Sequence, residues 1–307
     1  MAKKVIIWGQ YTDYDKAYKW IQTELLKGSI EIDAIVLNEH NLFKRLDGIE
    51  VVPIDELLVR EYDYIINLNR LEPAMITKML ELLRIPMEKV IPIKVFELPF
   101  FDLQRYLAVR ESRVSIISCN CWGGYVYDSL GMEFLSPFIN MFTQREDYFR
   151  MLNHFDYYMV QPLRYIKDGY EVVLKREYPI AGLGDVTLHF NHDTSFESAE
   201  EAWERRKVRL NFDNLFVEAL IDTKEELEAF LELPFKRKIG FTTIKCNEKN
   251  CVYVPFLEDS YMHNKYKGSV AQFMNLVVNS RSDELMQYDI LKLLNGEKDF
   301  MRADMEG

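Results

Sequence analysis

Val114-Ser115-Ile116-Ile117-Ser118-Cys119-Asn120-Cys121-Trp122-Gly123-Gly124 is the stretch on which the fold of this chain turns. Its apolar run reads as a short buried strand, the Trp-Gly-Gly step as a tight turn, and residues 125–130 as a short helix stopped by Gly131. A strand that passes directly into a helix is the building unit of α/β proteins. Such proteins usually carry their chemistry on side chains at the carboxyl end of a strand, facing a helix N-terminus. Two readings stay open here. Cys119 and Cys121 are small core residues with glycine packing contacts, or Asn120, Cys121, Trp122 and Gly123 form the centre of a site.

Towards the N-terminus, strand and helix patterns alternate. Residues 5–8 are a buried strand ending at Gly9, and 15–27 carry Ala17, Trp20, Ile21 and Leu25 at helical spacing before Gly28. Strands at 32–37, 49–52, 64–68 and 90–93 come next, interleaved with a short helix opened by Pro53 and a helix over 74–83. This alternation predicts a doubly wound parallel sheet in a domain spanning 1–100. A helix over residues 97–112 would connect it to the rest of the chain. The glycine fingerprint of a dinucleotide loop is incomplete. Gly9 is its only remaining glycine and the only candidate cofactor contact, while Gln10 and Tyr11 bring side chains where a pyrophosphate needs bare backbone. Asn38 or Glu39 would be placed to hold a ribose hydroxyl. An interaction role or a vestigial domain is the favoured expectation here.

Towards the C-terminus, residues 113–300 predict a second α/β domain with a mixed sheet. Tyr148, Phe149, Phe155, Tyr157 and Tyr158 concentrate aromatic surface, for core packing or for stacking on sugar rings. A turn-rich segment over 178–185 leads into a strand at 186–190. Strand alternation puts Val186, Leu188 and Phe190 on one face and Asp185, Thr187, His189 and Asn191 on the other, with His192 just past the end on the apolar side. Two of the chain's five histidines therefore lie within four residues. Thr194-Ser195-Phe196-Glu197 opens a helix whose apolar stripe runs through Ala199, Ala202, Trp203 and Leu210. Arg206 falls on that stripe, with Arg205 and Arg209 on a neighbouring face. A buried arginine needs a carboxylate (Asp185 or Asp213), carbonyls or an anionic ligand. Asn211 and Asn214 end the helix in a polar turn. Further strands at 239–244 and 251–256, a hairpin turn bracketed by Cys246 and Cys251, and helices at 224–231, 272–278 and 290–294 complete the pattern.

Composition narrows the function. A net charge of −11 argues against non-specific nucleic-acid binding and against an anionic membrane surface. No apolar run approaches the ~20 residues of a membrane span, and the N-terminus lacks a signal-peptide pattern, so a cytoplasmic protein without an integral membrane segment is expected. Four cysteines spaced Cys119-x-Cys121 and Cys246-x4-Cys251 match zinc patterns poorly, so no metal is expected.

The N-terminal pattern resembles the small Rossmann-like domains that precede glycan-modifying domains in bacterial surface-polysaccharide proteins. Residues 113–295 resemble a bacterial family of unknown function associated with exopolysaccharide or capsule biosynthesis. The resemblance rests on Ser115-Ile116-Ile117-Ser118 with Asn120-Cys121-Trp122-Gly123-Gly124, Ser136-Pro137-Phe138, Leu183-Gly184-Asp185 before His189-Phe190 and His192, Trp203-Glu204-Arg205-Arg206 with Arg209, Asn211 and Asn214, and Tyr288-Asp289-Ile290-Leu291. Cys119 departs from the pattern, which leaves Cys121 as the cysteine of interest. The resemblance implies a setting in surface-glycan assembly, a sugar or glycan precursor as partner, and membership of a homo-oligomer or biosynthetic complex.

Three functions are weighed. In the favoured one, a glycosyl- or phosphosugar transferase uses Asp185 or His189 as base and Arg205, Arg206 and Arg209 to hold a nucleotide-sugar donor. In the second, Cys121 is the nucleophile of an acyltransferase or hydrolase, with His189 as base, Asp185 or Asn191 as orienter, and the Trp122 and Gly123 N–H groups as oxyanion donors. The third is a non-catalytic sugar- or partner-binding subunit.

Overall fold

A computed structural model describes residues 2–37, 42–69, 73–98, 100–172, 175–242, 244–253 and 288–300. Asn38, Glu39 and the helix expected over 272–278 lie outside these residues. The chain divides into two units, Met1–Tyr106 and Leu107–Gly307.

The first unit contains β1 (Lys3–Gly9), α1 (Tyr11–Leu26), β2 (Ile30–Leu37), β3 (Arg45–Leu46), β4 (Ile49–Val52), β5 (Tyr64–Asn67), α2 (Pro73–Leu82) and β6 (Val90–Pro92). Its sheet runs β3-β4-β2-β1-β5-β6. Every pairing is parallel except that of β3 with β4. Without β3, the strands follow the 3-2-1-4-5 order of doubly wound sheets. Strands covered on both faces need continuous apolar runs, and Val5, Ile6, Ile7 and Trp8 of β1 are all fully buried.

Ligands of doubly wound folds sit where the strand order reverses, here between β1 and β5. There Gly9 packs tightly against the residue that follows β5. Leu68 is fully buried, its N–H donates to the Trp8 carbonyl at 2.8 Å, and a Cβ on Gly9 would stand only 2.5 Å from the Leu68 Cβ. One residue, Gln10, separates β1 from α1, and Tyr11 stacks on Phe43 at 4.7 Å. Gly9, read from the sequence as a cofactor contact, is explained by this packing. Gly9→Ala should cost about 1–3 kcal/mol, the usual range for overpacking, measured by urea unfolding.

The helix expected over 97–112 is shorter. A single 3-10 turn covers Ile93–Glu97, and α3 (Leu103–Ser112) starts later. Leu98 precedes a proline and is extended at φ −64°, ψ 140°, because the proline ring disfavours helical backbone in the residue before it.

The second unit continues with β7 (Ser115–Ser118), α4 (Trp122–Ser129), β8 (Phe142–Thr143), α5 (Arg145–Asn153), α6 (Phe155–Met159), β9 (Leu163–Glu171), β10 (Arg176–Leu183), β11 (Val186–His189), α7 (Phe196–Lys207), β12 (Leu215–Ile221), α8 (Lys224–Glu232), β13 (Lys238–Thr242), β14 (Cys251–Tyr253) and α9 (Ile290–Leu294). Parallel and antiparallel pairings both occur, segregated into two four-stranded sheets. One is the parallel sheet β14-β13-β12-β7 and the other the antiparallel sheet β8-β11-β10-β9. The antiparallel sheet is inserted in the chain between β7 and β12. Ile117, Ala181, Leu183, Val186, Leu188, Trp203, Val217 and Ala219 draw both sheets and α7 into one core.

Two local expectations change. Residues 178–183 are no irregular approach but most of β10, a central strand between β11 and β9, and the expected turn is confined to Gly184 and Asp185. Pro179 disguised it, since proline cannot donate to the ladder and is unusual in central strands. β9, its partner, has mostly exposed residues and therefore no apolar alternation to reveal it. In addition, β13 and β14 pair in parallel, so the segment between Cys246 and Cys251 is not a hairpin turn.

Candidate functional site

The turn from β7 into α4 is held by a chain of buried polar contacts. The Ser118 hydroxyl accepts from Gly123 N–H at 3.2 Å and donates to the Asn120 carbonyl at 3.0 Å. Asn120 Oδ1 accepts from Trp122 N–H at 2.7 Å, and its Nδ2 donates to the Glu218 carboxyl on β12 at 3.1 Å. The Trp122 indole N–H donates to the Tyr288 hydroxyl at 3.0 Å. Gly123 is required by closeness, because a Cβ there would lie 2.9 Å from Ser118 Oγ and 3.1 Å from Ile116 Cγ2. Asn120, Trp122 and Gly123, expected to touch substrate, thus face the core. The N–H groups of Trp122 and Gly123 are already engaged, which removes them as oxyanion donors.

Cys121 points the other way. Cys121, Gly124, Tyr125 and Asp128 follow the i, i+3, i+4, i+7 spacing of one helix face and line a cavity of about 250 Å³ with Phe134, Asn140 and His192. His192 arrives from the turn after β11, and its Nε2 lies 3.5 Å from Cys121 Sγ. Asn140 holds a left-handed backbone with φ 60°. Asparagine tolerates that region better than most residues, and such positions concentrate at functional sites.

The charges of the site follow from burial. Desolvation, reinforced by Glu218, pushes the Cys121 thiol up to about 11. Partial burial and the Arg176 guanidinium hold His192 below the ordinary imidazole value, with Asp193 and Glu171 pulling the other way. The pair is therefore neutral thiol and neutral imidazole at pH 7, not a thiolate–imidazolium pair. Behind it, burial pushes Glu218 up to about 8 despite hydrogen bonds from Asn120 and Cys119. Cys119 is buried beside that carboxyl, at 3.9 Å, and its thiol is pushed well up by desolvation. Burial also raises Asp193, against the opposing pull of Arg206, His192 and Arg176.

The remaining sequence candidates disperse. His189 Nδ1 meets the Tyr178 hydroxyl at 3.2 Å and its ring stacks on Phe142 at 4.4 Å, so the histidine that reaches Cys121 is His192. Asp185 sits at the start of β11, opposite the end that leads to His192. It accepts from the Tyr158 hydroxyl at 2.6 Å and faces Arg150 at 3.7 Å. The four residues of β11, at ~3.3 Å each, separate it from the cavity end. Arg205 is exposed and pairs with Glu201 at 3.5 Å. Arg209 pairs with Glu133 at 3.0 Å. Asn211 and Asn214 donate to the carbonyls of Ser112 and Arg113, capping the end of α3 rather than binding a ligand. Asn191 gives its carbonyl to Arg176 at 2.7 Å.

Arg206 lies beside the cavity-lining Phe134, as does Arg209, which donates to the Phe134 carbonyl at 3.3 Å. Arg206 donates to the Ile139 carbonyl at 3.3 Å and lies 5.4 Å from the centre of the Phe134 ring. The carboxylate it senses is Asp193, neither Asp185 nor Asp213. Glu218 was legible in hindsight as a lone carboxyl inside the apolar strand LFVEALI. Tyr125 and Asp128 were legible as helical repeats of Cys121. Phe134, Asn140 and Asp193 lie in irregular segments and left no periodic signal. Among the described residues, no group of three or more His, Cys, Asp or Glu side chains is arranged to hold a metal, and no helix is long and apolar enough to cross a membrane.

Residues 93–295, two thirds of the chain and including the whole cavity, match the family described as Domain of unknown function (DUF1919). The chain belongs to the DUF1919 family. Residues 1–91, ahead of the DUF1919 region, match the description "C2185-like, N-terminal". An uncharacterized protein of Haemophilus influenzae is 35% identical over 144 residues, which is 46% of this chain and 66% of that protein, slightly under two thirds of its length.

Proposed function

We propose that this protein handles a sugar or glycan precursor in bacterial surface-polysaccharide assembly, in the cytoplasm, with Cys121 and His192 as an acyl-transfer or acyl-hydrolysis pair. The observation that carries the reading is the 3.5 Å approach of Cys121 Sγ to His192 Nε2 in the wall of a half-open cavity, at the carboxyl end of a parallel strand. The setting in surface-glycan assembly rests on the family resemblance of residues 113–295.

In this reaction Sγ attacks the acyl carbon, and the S–C bond forms as the thiol proton passes to His192 Nε2. The resulting imidazolium returns that proton to the departing alcohol oxygen as the C–O bond breaks, leaving a thioester on Cys121. Water or a sugar hydroxyl then attacks the thioester carbon while His192 accepts its proton, and the S–C bond breaks as that proton passes to Cys121 Sγ, restoring the neutral pair. A neutral pair needs this coupled proton transfer, because little thiolate exists beforehand. Asn140 carries the side-chain amide of the cavity wall and is suited to polarise the acyl oxygen.

The cavity volume weighs against the favoured sequence expectation. At about 250 Å³ it falls below the ~300–1,000 Å³ of drug-sized ligand sites, enough for one sugar ring or a short acyl group, so most of a nucleotide sugar would lie outside it. The parts of a glycosyl-transfer cleft also lie apart, since Asp185, His189, Arg205 and Arg209 are each engaged elsewhere. The raised thiol favours a second reading, a sugar-binding pocket without a covalent step.

Incubation with p-nitrophenyl acetate, followed by peptide mass spectrometry, separates the two. An acetyl group on Cys121, absent in Cys121→Ala and formed roughly 10²–10⁴-fold more slowly in His192→Ala, is expected. Absence of the adduct, or equal turnover by wild type and Cys121→Ala, would leave the binding pocket as the reading.

A further inference from the structure

α4 carries two adjacent glycines, and packing requires only the first. A Cβ on Gly123 would crowd Ser118 Oγ at 2.9 Å and Ile116 Cγ2 at 3.1 Å. On Gly124 it would meet Ile139 Cγ2 at 3.5 Å and Asn140 Oδ1 at 3.6 Å, ordinary van der Waals distances. The backbone does not demand glycine there either, because Gly124 lies inside the helix and has no positive φ. Glycine in a helix is less stable than alanine, so Gly124 carries a cost that neither packing nor backbone explains. It does line the cavity, next to Asn140, and bare backbone is what lets a ligand approach closely. Tyr125 and Phe134 add aromatic surface to the same wall, suited to the C–H face of a sugar ring. Asp128, also in the wall, lies seven residues from Cys121, about 10 Å along the helix axis. A carboxylate accepts at about four positions, so Asp128 can take sugar hydroxyls alongside a protein contact. No lysine or arginine is among the described lining residues, and Arg206 and Arg209 touch Phe134 without lining the cavity.

We propose that Gly124 and Asp128 make this stretch of α4 the seat of an uncharged sugar ring, and that the substrate is an O-acylated neutral sugar. The ring lies over the bare backbone at Gly124, its hydroxyls donate to Asp128, and its ester points back along the helix to Cys121. An anionic sugar is disfavoured, because the wall offers it a carboxylate and no lysine or arginine. The ester rests on the Cys121–His192 reading, whereas the ring seat rests on Gly124 and Asp128 and needs no covalent step.

The test is calorimetric titration of the full chain with methyl glucoside, methyl galactoside, N-acetylglucosamine and glucuronate. At least one of the three neutral sugars should bind, roughly tenfold or more tighter than glucuronate. Gly124→Ala should weaken the best of them by roughly tenfold or more, while its urea-unfolding midpoint stays at or above that of wild type. A packing residue would not give that split. Asp128→Ala should weaken the same sugar roughly tenfold, and Arg205→Gln, exposed on α7, should leave its affinity unchanged. Cys121→Ser should bind it like wild type. Loss of acyl transfer with retained, Gly124-dependent sugar binding would therefore sink the nucleophile and leave the ring seat standing. No binding of any of the three neutral sugars, glucuronate bound as tightly as the best of them, wild-type affinity in Gly124→Ala, or a lowered unfolding midpoint in that variant overturns the proposal.

Discussion

Alkylation of Cys121 by iodoacetamide is expected to accelerate about tenfold per pH unit through the alkaline range, levelling only near pH 11. The thiolate is the reacting species, so the rate follows its population. Burial and the nearby Glu218 carboxyl put the thiol at about 11 instead of its usual 9. At pH 7.5 such a thiol holds ~100-fold less thiolate than an ordinary cysteine provides. Glu218→Gln removes a negative charge and should move the whole curve to lower pH. Peptide-resolved mass spectrometry distinguishes Cys121 from the partly exposed Cys246 and Cys251. A plateau below pH 9, or rapid reaction at pH 7, would show a preformed thiolate–imidazolium pair and contradict the neutral site described above.

A second large effect is expected in stability. Glu218 is fully buried, and desolvation lifts its carboxyl from 4.5 to about 8 in the folded protein. Between those values the folded state holds a proton that the unfolded chain has released. Linkage then makes stability fall as pH rises, by about 1.4 kcal/mol per unit, and flatten above pH ~8. The full window amounts to about 5 kcal/mol at most. Glu218→Gln has no proton to lose, so the difference between wild type and variant should favour wild type less at pH 8 than at pH 5. Urea unfolding at the two pH values measures it, and parallel pH dependences for the two proteins would rule out the raised carboxyl. The same carboxyl holds Asn120, which in turn holds the first N–H of α4. A glutamate some way along the chain from Cys121 thereby sets both the position of that thiol and its acidity.

What could be read without coordinates was the part governed by local periodicity. The buried runs Val5-Ile6-Ile7-Trp8 and Ile116-Ile117, the stop at Gly28, and the Ser195 cap of α7, which accepts from Ser198 N–H at 3.2 Å, are signals that neighbouring residues carry by themselves. Such signals fail where a strand owes its existence to its partners. β9 is mostly exposed and β10 contains a proline, yet their mutual ladder and the pairing of β10 with β11 make both extended.

The site divides along the same line. Sequence alone was enough to single out Cys121 at the end of a strand, the histidine-bearing strand, and an arginine on the apolar stripe of a helix. It also supplied the alternation that put His192, not His189, on the inner side of β11. Which histidine meets the thiol was decided by tertiary structure, because it depends on where the turn after β11 comes to rest against α4. The same holds for Glu218 beneath Asn120 and for the cavity between α4 and the irregular segment holding Phe134 and Asn140. These contacts join residues far apart in the chain, and desolvation, invisible in any single stretch of sequence, pushes up both the Cys121 thiol and the Glu218 carboxyl.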